Sequence, residues 1–182
     1  WRYDDFESAI YGTYGRTLDQ LSAEFQEAMR REYYPAIAGR HSLDAYARRI
    51  AAGAVKPVLT ADGDTAVYFA APRGYVVAQA RGLDGGPART IVTAGRSADI
   101  ESFHPFESRI DAGRPGYLLF STRHEDRDAL VVWDIAHQRV AGRYQFPDLV
   151  SIVSPTWLPG DSSVAFSGLA MSGVSDLYRF TF

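Results

Sequence analysis

The sequence contains no cysteine, and lysine occurs only once, at Lys56. The lack of cysteine excludes a disulfide framework, zinc held by thiolates and a thiol nucleophile. The basic residues are therefore almost all arginine, and the formal net charge is -3. This balance, without a basic stripe, argues against nucleic acid or an anionic membrane surface as the partner.

Long apolar runs are also missing. No run approaches the roughly 18 residues that a membrane-spanning helix needs, and no signal peptide is recognisable. Because the chain starts at Trp1 rather than Met, the missing leader does not decide whether the protein is exported. Apolar residues make up 46% of the 182 residues, so the sequence predicts a packed core.

The first 53 residues have helical periodicity. The spacing predicts a short helix over Asp4–Tyr14 and a longer one from the cap Thr17 to Tyr34, with Gln20 completing a capping box and Pro35 ending the helix. A third helix is predicted from the cap Ser42 to Gly53. Residues 1–53 are therefore predicted to be a helical linker or the end of a preceding domain.

After Gly53 the pattern changes to short β-branched and aromatic runs with Gly, Pro and Asp between them. The predicted strands are Val55–Leu59, Thr65–Ala70, Tyr75–Ala80, Thr90–Thr93, Gly116–Ser121, Ala129–Ile135, Arg139–Tyr144, Ser163–Ser167 and Asp176–Phe182.

Three segments of this region resemble one another, each with a polar turn, a strand ending in Phe, a loop and a second strand. Their phenylalanines, Phe69, Phe120 and Phe166, are 51 and 46 residues apart. That interval is close to the period of about 40–50 residues of propeller blades. The pattern predicts that these phenylalanines, with Val67, Leu118 and Val164, point into cores between stacked blades.

The third segment carries the most specific motif. Ser154-Pro-Thr-Trp-Leu-Pro-Gly-Asp-Ser-Ser-Val-Ala-Phe-Ser-Gly168 resembles the blade signature of TolB-like, WD-repeat-like propellers, and Ser175-Asp-Leu-Tyr178 resembles the strand that follows it. The chain departs from the signature at Pro159-Gly160-Asp161, where the family has Pro-Asp-Gly.

The resemblance implies a mainly β fold with N-terminal helices. Residues 54–182 would form a partial β-propeller of about two and a half four-stranded antiparallel blades, at about 55–103, 104–150 and 151–182. An open stack of this kind leaves apolar faces and strand edges exposed. We therefore expect the full protein to extend beyond Trp1 and Phe182, and this chain alone to be marginally stable or self-associating.

The helical part, Leu18–Ile50, resembles the linker that follows a peptidase-MA-like zinc domain in some TolB-like proteins. That domain would carry a His-Glu-x-x-His helix, and no such motif occurs here. No catalytic residue is therefore transferred from that family to this sequence.

No other motif predicts catalysis, a cofactor or a metal. The stretch His124–Asp128 lacks the second histidine of a zincin and lies between strands, so it is interpreted as a hairpin loop. His104 precedes Glu107 and Asp111 and is predicted to belong to a structural cluster that holds one blade to the next. A Gly-x-Ser-x-Gly elbow and a phosphate-binding loop are both missing from the sequence.

Two functions remain open. The preferred one is a non-catalytic module that binds or scaffolds a protein or peptide, which the resemblance places in the periplasm or elsewhere outside the cytoplasm of a bacterium. The alternative is an accessory propeller of a metallopeptidase or serine peptidase whose catalytic domain lies outside this chain. Partner contact is predicted in loops Ala71–Gly74, Thr122–Arg127 and Gly168–Gly173, with Arg73, Arg123, His124, Glu125 and Met171 as the candidate residues.

Overall fold

The computed structural model describes residues 5–96, 99–160 and 162–182. The chain divides into two compact units, residues 1–49 and 50–182, and each is described by itself. The predicted helix start at Asp4 and the signature residue Asp161 lie outside the described residues.

The first unit contains two helices with the caps that the sequence predicts. Helix α1 covers Phe6–Tyr14, and the Asp5 carboxylate accepts the Ser8 amide at 2.7 Å as its N-cap. Helix α2 covers Leu18–Ile37, and its predicted capping box is confirmed, because Thr17 and Gln20 each bond the backbone amide of the other. These bonds satisfy amides that the first helical turn leaves without partners.

Two helix boundaries were predicted wrongly. Pro35 lies inside α2 rather than ending it, which is tolerable because a proline in the last turn removes only one helical hydrogen bond. The third helix is reduced to a 3-10 turn over Leu43–Ala45, and the Ser42 side chain makes no capping bond. Leu43 and Tyr46 are exposed, so this segment lacks the packing on which a short helix depends.

None of the residues described in α1 and α2 is buried. Within the described part of the chain, no helix is both long enough and apolar enough to cross a bilayer.

The second unit contains three antiparallel sheets in which neighbouring strands follow one another along the chain. The first sheet consists of β1 (Val55–Leu59), β2 (Thr65–Ala70), β3 (Val77–Gly82) and β4 (Arg89–Thr93). The second consists of β5 (Ser102–Phe103), β6 (Tyr117–His124), β7 (Arg127–Asp134) and β8 (Arg139–Tyr144). The third consists of β9 (Leu149–Trp157), β10 (Ser163–Ala170) and β11 (Ser175–Thr181).

Strand β9 was not predicted, and the sequence analysis assigned no strand between Tyr144 and Ser163. Ser154 has a left-handed backbone with φ 52°, and Pro155 follows it. The pairing of β9 with β10 shifts register between Ala165 and Ser167. A bulge of this kind interrupts the alternation of side chains by which a strand is recognised in a sequence.

The sheets pack face to face, with alternate residues of the second sheet facing its two neighbours. Leu118 and Phe120 of β6 lie in one buried cluster with Val67 and Phe69 of the first sheet. Leu119, between them in sequence, lies in a second cluster, with Val164 and Phe166 of the third sheet. The predicted burial of the three phenylalanines between sheets is confirmed, and each such side chain contributes about 1.5–3 kcal/mol.

The predicted alignment of the first repeat is wrong by one residue. Phe120 and Phe166 each face the preceding sheet, whereas Phe69 faces the following one. In β2 the residue whose side chain takes the same direction as Phe120 is Tyr68, which is buried against Ala51, Ala54 and Leu83. Successive strand residues point to opposite faces, so a shift of one residue changes the face.

Candidate partner-binding edge

Equivalent strands of the three stacked sheets run in the same direction, which brings equivalent turns to one edge. Phe69 lies near the end of β2, and the centroid of its ring is 4.9 Å from that of Phe103. Phe103 in turn pairs with Thr122, near the end of β6. At that same end of the second sheet, Asp128 bonds the Ile152 amide of the third sheet. In each sheet one connection joins the second strand to the third, and all three of these connections therefore lie on this side of the unit. We name this side the turn edge; its connections are residues 71–76, 125–126 and 171–174.

Two of the five predicted contact residues lie in the connections of the turn edge and are exposed to solvent. Arg73 is exposed after β2. Met171 is 75% exposed after β10, and its amide donates to the Asp148 carbonyl at 3.2 Å. Sequence analysis missed Tyr75, which is 73% exposed beside Arg73. Its signal was an aromatic residue next to a turn glycine, Gly74, but it was assigned to a strand.

The other three predicted residues belong to the β6–β7 hairpin. Its turn is shorter than predicted, because Arg123 and His124 are in β6 and only residues 125–126 connect the strands. The Glu125 amide donates to Glu101 Oε1 at 2.8 Å, and Arg123 Nε donates to the Glu125 carbonyl at 3.1 Å. His124 is only 9% exposed, so its side chain offers little surface to a partner.

An irregular segment, residues 104–110, follows β5 and is fixed against this hairpin. His104 Nε2 lies 2.9 Å from Asp128 Oδ1, and His104 Nδ1 lies 3.8 Å from Glu107 Oε2. The same segment carries Phe106, which is 81% exposed.

The Asp128 carboxylate links His104 to the third sheet. Its Oδ2 atom accepts the Ser151 hydroxyl and the Ile152 amide, both at 2.9 Å. The prediction that His104 belongs to a structural cluster joining two blades is confirmed by these contacts.

The cluster shifts the pKa of both of its ionisable members. The hydrogen bond to Asp128 raises the pKa of His104, against the effect of burial and with help from the charges of Asp128 and Glu107. Burial of Asp128 acts to raise its pKa, but the hydrogen bonds from His104, Ile152 and Ser151 outweigh it, so the pKa of Asp128 is lowered. Both shifts favour the charged pair.

This Ser–His–Asp group has the geometry of a structural link. In a nucleophile triad the histidine lies between the serine and the acid, whereas here Ser151 and His104 both bind Asp128. Among the described residues, no three His, Asp or Glu side chains are grouped so that they could hold a metal ion.

Two further side chains, from the connection between β5 and β6, bind backbone amides of β9. Ser108 Oγ accepts the Ser154 amide at 2.9 Å, and Asp111 Oδ2 accepts the Trp157 amide at 2.9 Å. With Asp128 they satisfy three β9 amides that would otherwise need water or another strand. Sequence analysis did not predict this set, because its acceptors lie about 20 to 50 residues from their donors.

A groove of about 810 Å³ lies on the first sheet, beside the β2–β3 connection, residues 71–76. Gln79 and Thr90 form part of its floor, with Gln79 Nε2 3.5 Å from Thr90 Oγ1. The residues that line the groove are Pro72, Arg73, Tyr75, Val77, Gln79, Thr90, Thr93, Ala94, Gly95 and Arg96.

No family model and no curated protein matches this sequence. Solved structures do match its fold. TolB from Acinetobacter baumannii matches with a TM-score of 0.58 and 14% identity, over 71% of this chain and 30% of that chain. A TolB-type structure from Agrobacterium tumefaciens matches with a TM-score of 0.53 and 12% identity, over 69% of this chain and 42% of that chain.

The β-propeller domain of the Trilobed protease from Pyrococcus furiosus also matches, with a TM-score of 0.46 and 13% identity, over 75% of this chain and 43% of that chain. The two TolB matches show the fold: the second unit has the fold of part of a β-propeller similar to that of TolB, and the predicted fold class is confirmed. The chain spans less than half the length of either TolB structure.

Proposed function

We propose that residues 54–182 are a non-catalytic propeller module that binds a protein or peptide at the turn edge. The observation that carries the proposal is the exposure of a large apolar side chain from each sheet in this region. Tyr75 comes from the first sheet, Phe106 from the segment beside the hairpin of the second, and Met171 from the third. Aromatic residues and methionine are enriched in the cores of protein interfaces.

Rigid support beneath these side chains favours the proposal. Phe103 lies between the Phe69 and Phe120 rings, at centroid distances of 4.9 and 5.3 Å, so the first two sheets are packed directly below the edge. Asp128 ties the second sheet to the third at the same level. A partner would therefore bind a preorganised surface and lose less conformational entropy in doing so.

Charged side chains surround the apolar ones. Arg73, Glu107, Glu125 and Asp126 are all exposed in or beside the turn edge. A polar rim around apolar anchors is typical of a protein interface, and mixed charges serve specificity and orientation more than bulk affinity.

The proposal places this module outside the cytoplasm of a bacterium, in keeping with its resemblance to TolB. That placement rests on the similarity of fold alone. The partner would then be a protein or a peptide of the cell envelope.

Site-specific crosslinking tests the proposal. A photo-reactive phenylalanine analogue would replace Tyr75 or Met171 in the full-length protein, expressed in its own host. We expect both positions to crosslink to the same polypeptide, identified by mass spectrometry, because one partner would cover neighbouring connections of the edge.

The matched control places the analogue at Ala136, an exposed position in the β7–β8 turn at the opposite ends of the strands. Equal crosslinking at Ala136, or different polypeptides at positions 75 and 171, would contradict a binding surface at the turn edge. Loss of the adduct when Phe106 is changed to Ser would support it, because the variant removes an exposed anchor without disturbing the buried clusters.

A further inference from the structure

The groove of the first sheet differs from the inter-sheet surfaces in the chemistry of its floor. In the second sheet, Phe120 pairs with Val131, and both lie in a buried apolar cluster. The corresponding pair in the first sheet is Tyr68 with Gln79, so a polar amide occupies the place of the valine. Two residues further along the strand, on the same face, Arg81 stands where the second sheet has Trp133, and the Arg81 Nε atom donates to the Gly86 carbonyl at 2.6 Å.

This floor is suited to contact with a hydrated ligand. Polar side chains lose hydration when an apolar sheet covers them, and that loss costs free energy unless hydrogen bonds replace it. Gln79, Thr90 and Thr93 offer amide and hydroxyl groups along the groove. They can donate to and accept from a polar backbone, whereas Val131 of the second sheet can do neither.

The charges of the groove have one sign. Arg73 and Arg96 line it, and its ten lining residues include no Asp or Glu. Neither guanidinium forms a salt bridge with another residue in the part of the chain that the structure describes. Tyr75, which also lines the groove, adds an exposed aromatic ring.

We infer that this groove binds an acidic segment of a protein partner, with Arg73 and Arg96 as the groups that recognise its carboxylates. Guanidinium–carboxylate hydrogen bonds are charge-assisted and directional. The groove is partly open to solvent rather than an enclosed cavity, whereas small-molecule sites bury most of their ligand's surface. Its openness, not its volume, therefore favours an extended peptide. Only two arginines line it and the protein is net acidic, which favours a short acidic peptide over a polyanion such as nucleic acid.

This inference rests on the proposed function and names the chemistry of the partner. Its test is a selection of random octapeptides displayed on phage against the intact protein. The variant with both Arg73→Glu and Arg96→Glu serves for counter-selection. We expect the retained peptides to be enriched in Asp and Glu at two or more positions. A labelled consensus peptide should bind the double variant with a Kd at least about tenfold higher, because charge reversal repels its carboxylates.

Three comparisons sharpen the test. Arg139→Glu, a matched change at an exposed arginine that does not line the groove, should leave the Kd unchanged, and the Arg73→Lys, Arg96→Lys variant should retain part of the binding. Replacement of Glu and Asp in the peptide by Gln and Asn should weaken binding as much as the charge reversal does.

Selection of peptides without acidic enrichment, or an unchanged Kd in the charge-reversed variant, would overturn the inference. Competition by succinate at concentrations near the peptide Kd would also overturn it, since a small dicarboxylate would then be sufficient. If the crosslinks from positions 75 and 171 persist in the charge-reversed variant while peptide binding shows no acidic preference, the proposed function stands and this inference alone fails. If the wild-type protein gives no common crosslink from positions 75 and 171 and its selected peptides show no acidic preference, both proposals fail.

Discussion

At the residue scale, one carboxylate connects the segment after β5, the strand β7 and the strand β9. Asp128 is almost fully buried and accepts hydrogen bonds from His104 Nε2, the Ser151 hydroxyl and the Ile152 amide. Replacement of a buried acceptor together with its donors by apolar groups can be nearly neutral, but removal of the acceptor alone leaves each donor unsatisfied.

We expect Asp128→Ala to lower the free energy of unfolding by about 3 kcal/mol, since it leaves a buried amide and a histidine without their acceptor. Urea denaturation followed by tryptophan fluorescence measures this change. Asp126→Ala is the matched control, because Asp126 lies two residues away in the exposed turn, where its carboxylate pairs with the neighbouring Arg127. Similar losses in the two variants would contradict the structural role of Asp128.

The His104–Asp128 pair also predicts how stability changes with pH. The folded state raises the pKa of His104, so its contribution is complete below the unfolded value of about 6.5 and is lost as the pH rises through the higher folded value. The pKa of Asp128 is lowered, so its contribution is present above about pH 3.9 and is lost on acidification through the lower folded value. Stability from this pair is therefore greatest between about pH 4 and 6.5.

We expect the wild-type protein to lose stability between pH 5.5 and 8.5 by more than the His104→Gln variant does. The comparison needs denaturation curves of both proteins at both pH values. Glu107 and Arg123 also act on His104, with opposite signs, and both keep their charge over this range. An equal pH dependence in the two proteins would show that His104 is not the titrating group.

At the element scale, β9 is held on both of its edges. One edge pairs with β10, while side chains of β7 and of the connection between β5 and β6 accept the Ile152, Ser154 and Trp157 amides. These three amides should therefore exchange with solvent as slowly as amides within a β ladder.

Ser108→Ala should speed hydrogen exchange of the Ser154 amide by about tenfold, the effect expected from loss of one hydrogen bond. Exchange of the Trp157 amide, which Asp111 accepts, is the internal control and should not change. Amide-resolved NMR exchange makes the measurement. Uniform acceleration along β9 would indicate instead that the whole strand has detached.

Elements with regular periodicity were predictable from the sequence, and irregular ones were not. The capping box of α2 depends on Thr17 and Gln20, three residues apart, and was predicted correctly. Strand β9 contains a left-handed Ser154 followed by Pro155, so its alternation is broken and it was missed. The helix expected after Ser42 failed because its apolar residues have no packing surface among the described contacts.

At the scale of the whole molecule, the outer face of the third sheet is less covered than the faces of the second. Leu177 pairs with Ser167 on that face and is 79% exposed. Strand β11 pairs on only one side within the described strands. Exposed apolar surface beside a free strand edge favours association with another copy of the chain.

We therefore expect this chain to self-associate as its concentration rises, and Leu177→Lys to weaken the association by placing a charge on that face. Sedimentation velocity over a range of concentrations measures both effects. Ala136→Lys adds the same charge at an exposed turn and should have no effect. A monodisperse wild-type monomer, or association unchanged by Leu177→Lys, would contradict this account.

The stacking of the sheets was predictable because Phe120 and Phe166 recur in equivalent strands and are buried in equivalent clusters. The candidate binding edge was predictable only in part. Arg73 and Met171 lie in short connections that Gly and polar residues mark in the sequence, whereas the burial of His124 depends on packing against residues distant in sequence, such as Glu101. The groove also escaped prediction, because Arg73 and Arg96 are brought to one surface only by the pairing of β3 with β4.

The anchoring of β9 has a mechanical consequence. Its three tethered amides lie along one strand and their hydrogen bonds run across it, so a pull applied along the strand loads all three at once. Bonds loaded together in shear resist tension better than bonds that open one after another. The junction between the last two sheets should therefore transmit a stretching force along the chain without separating.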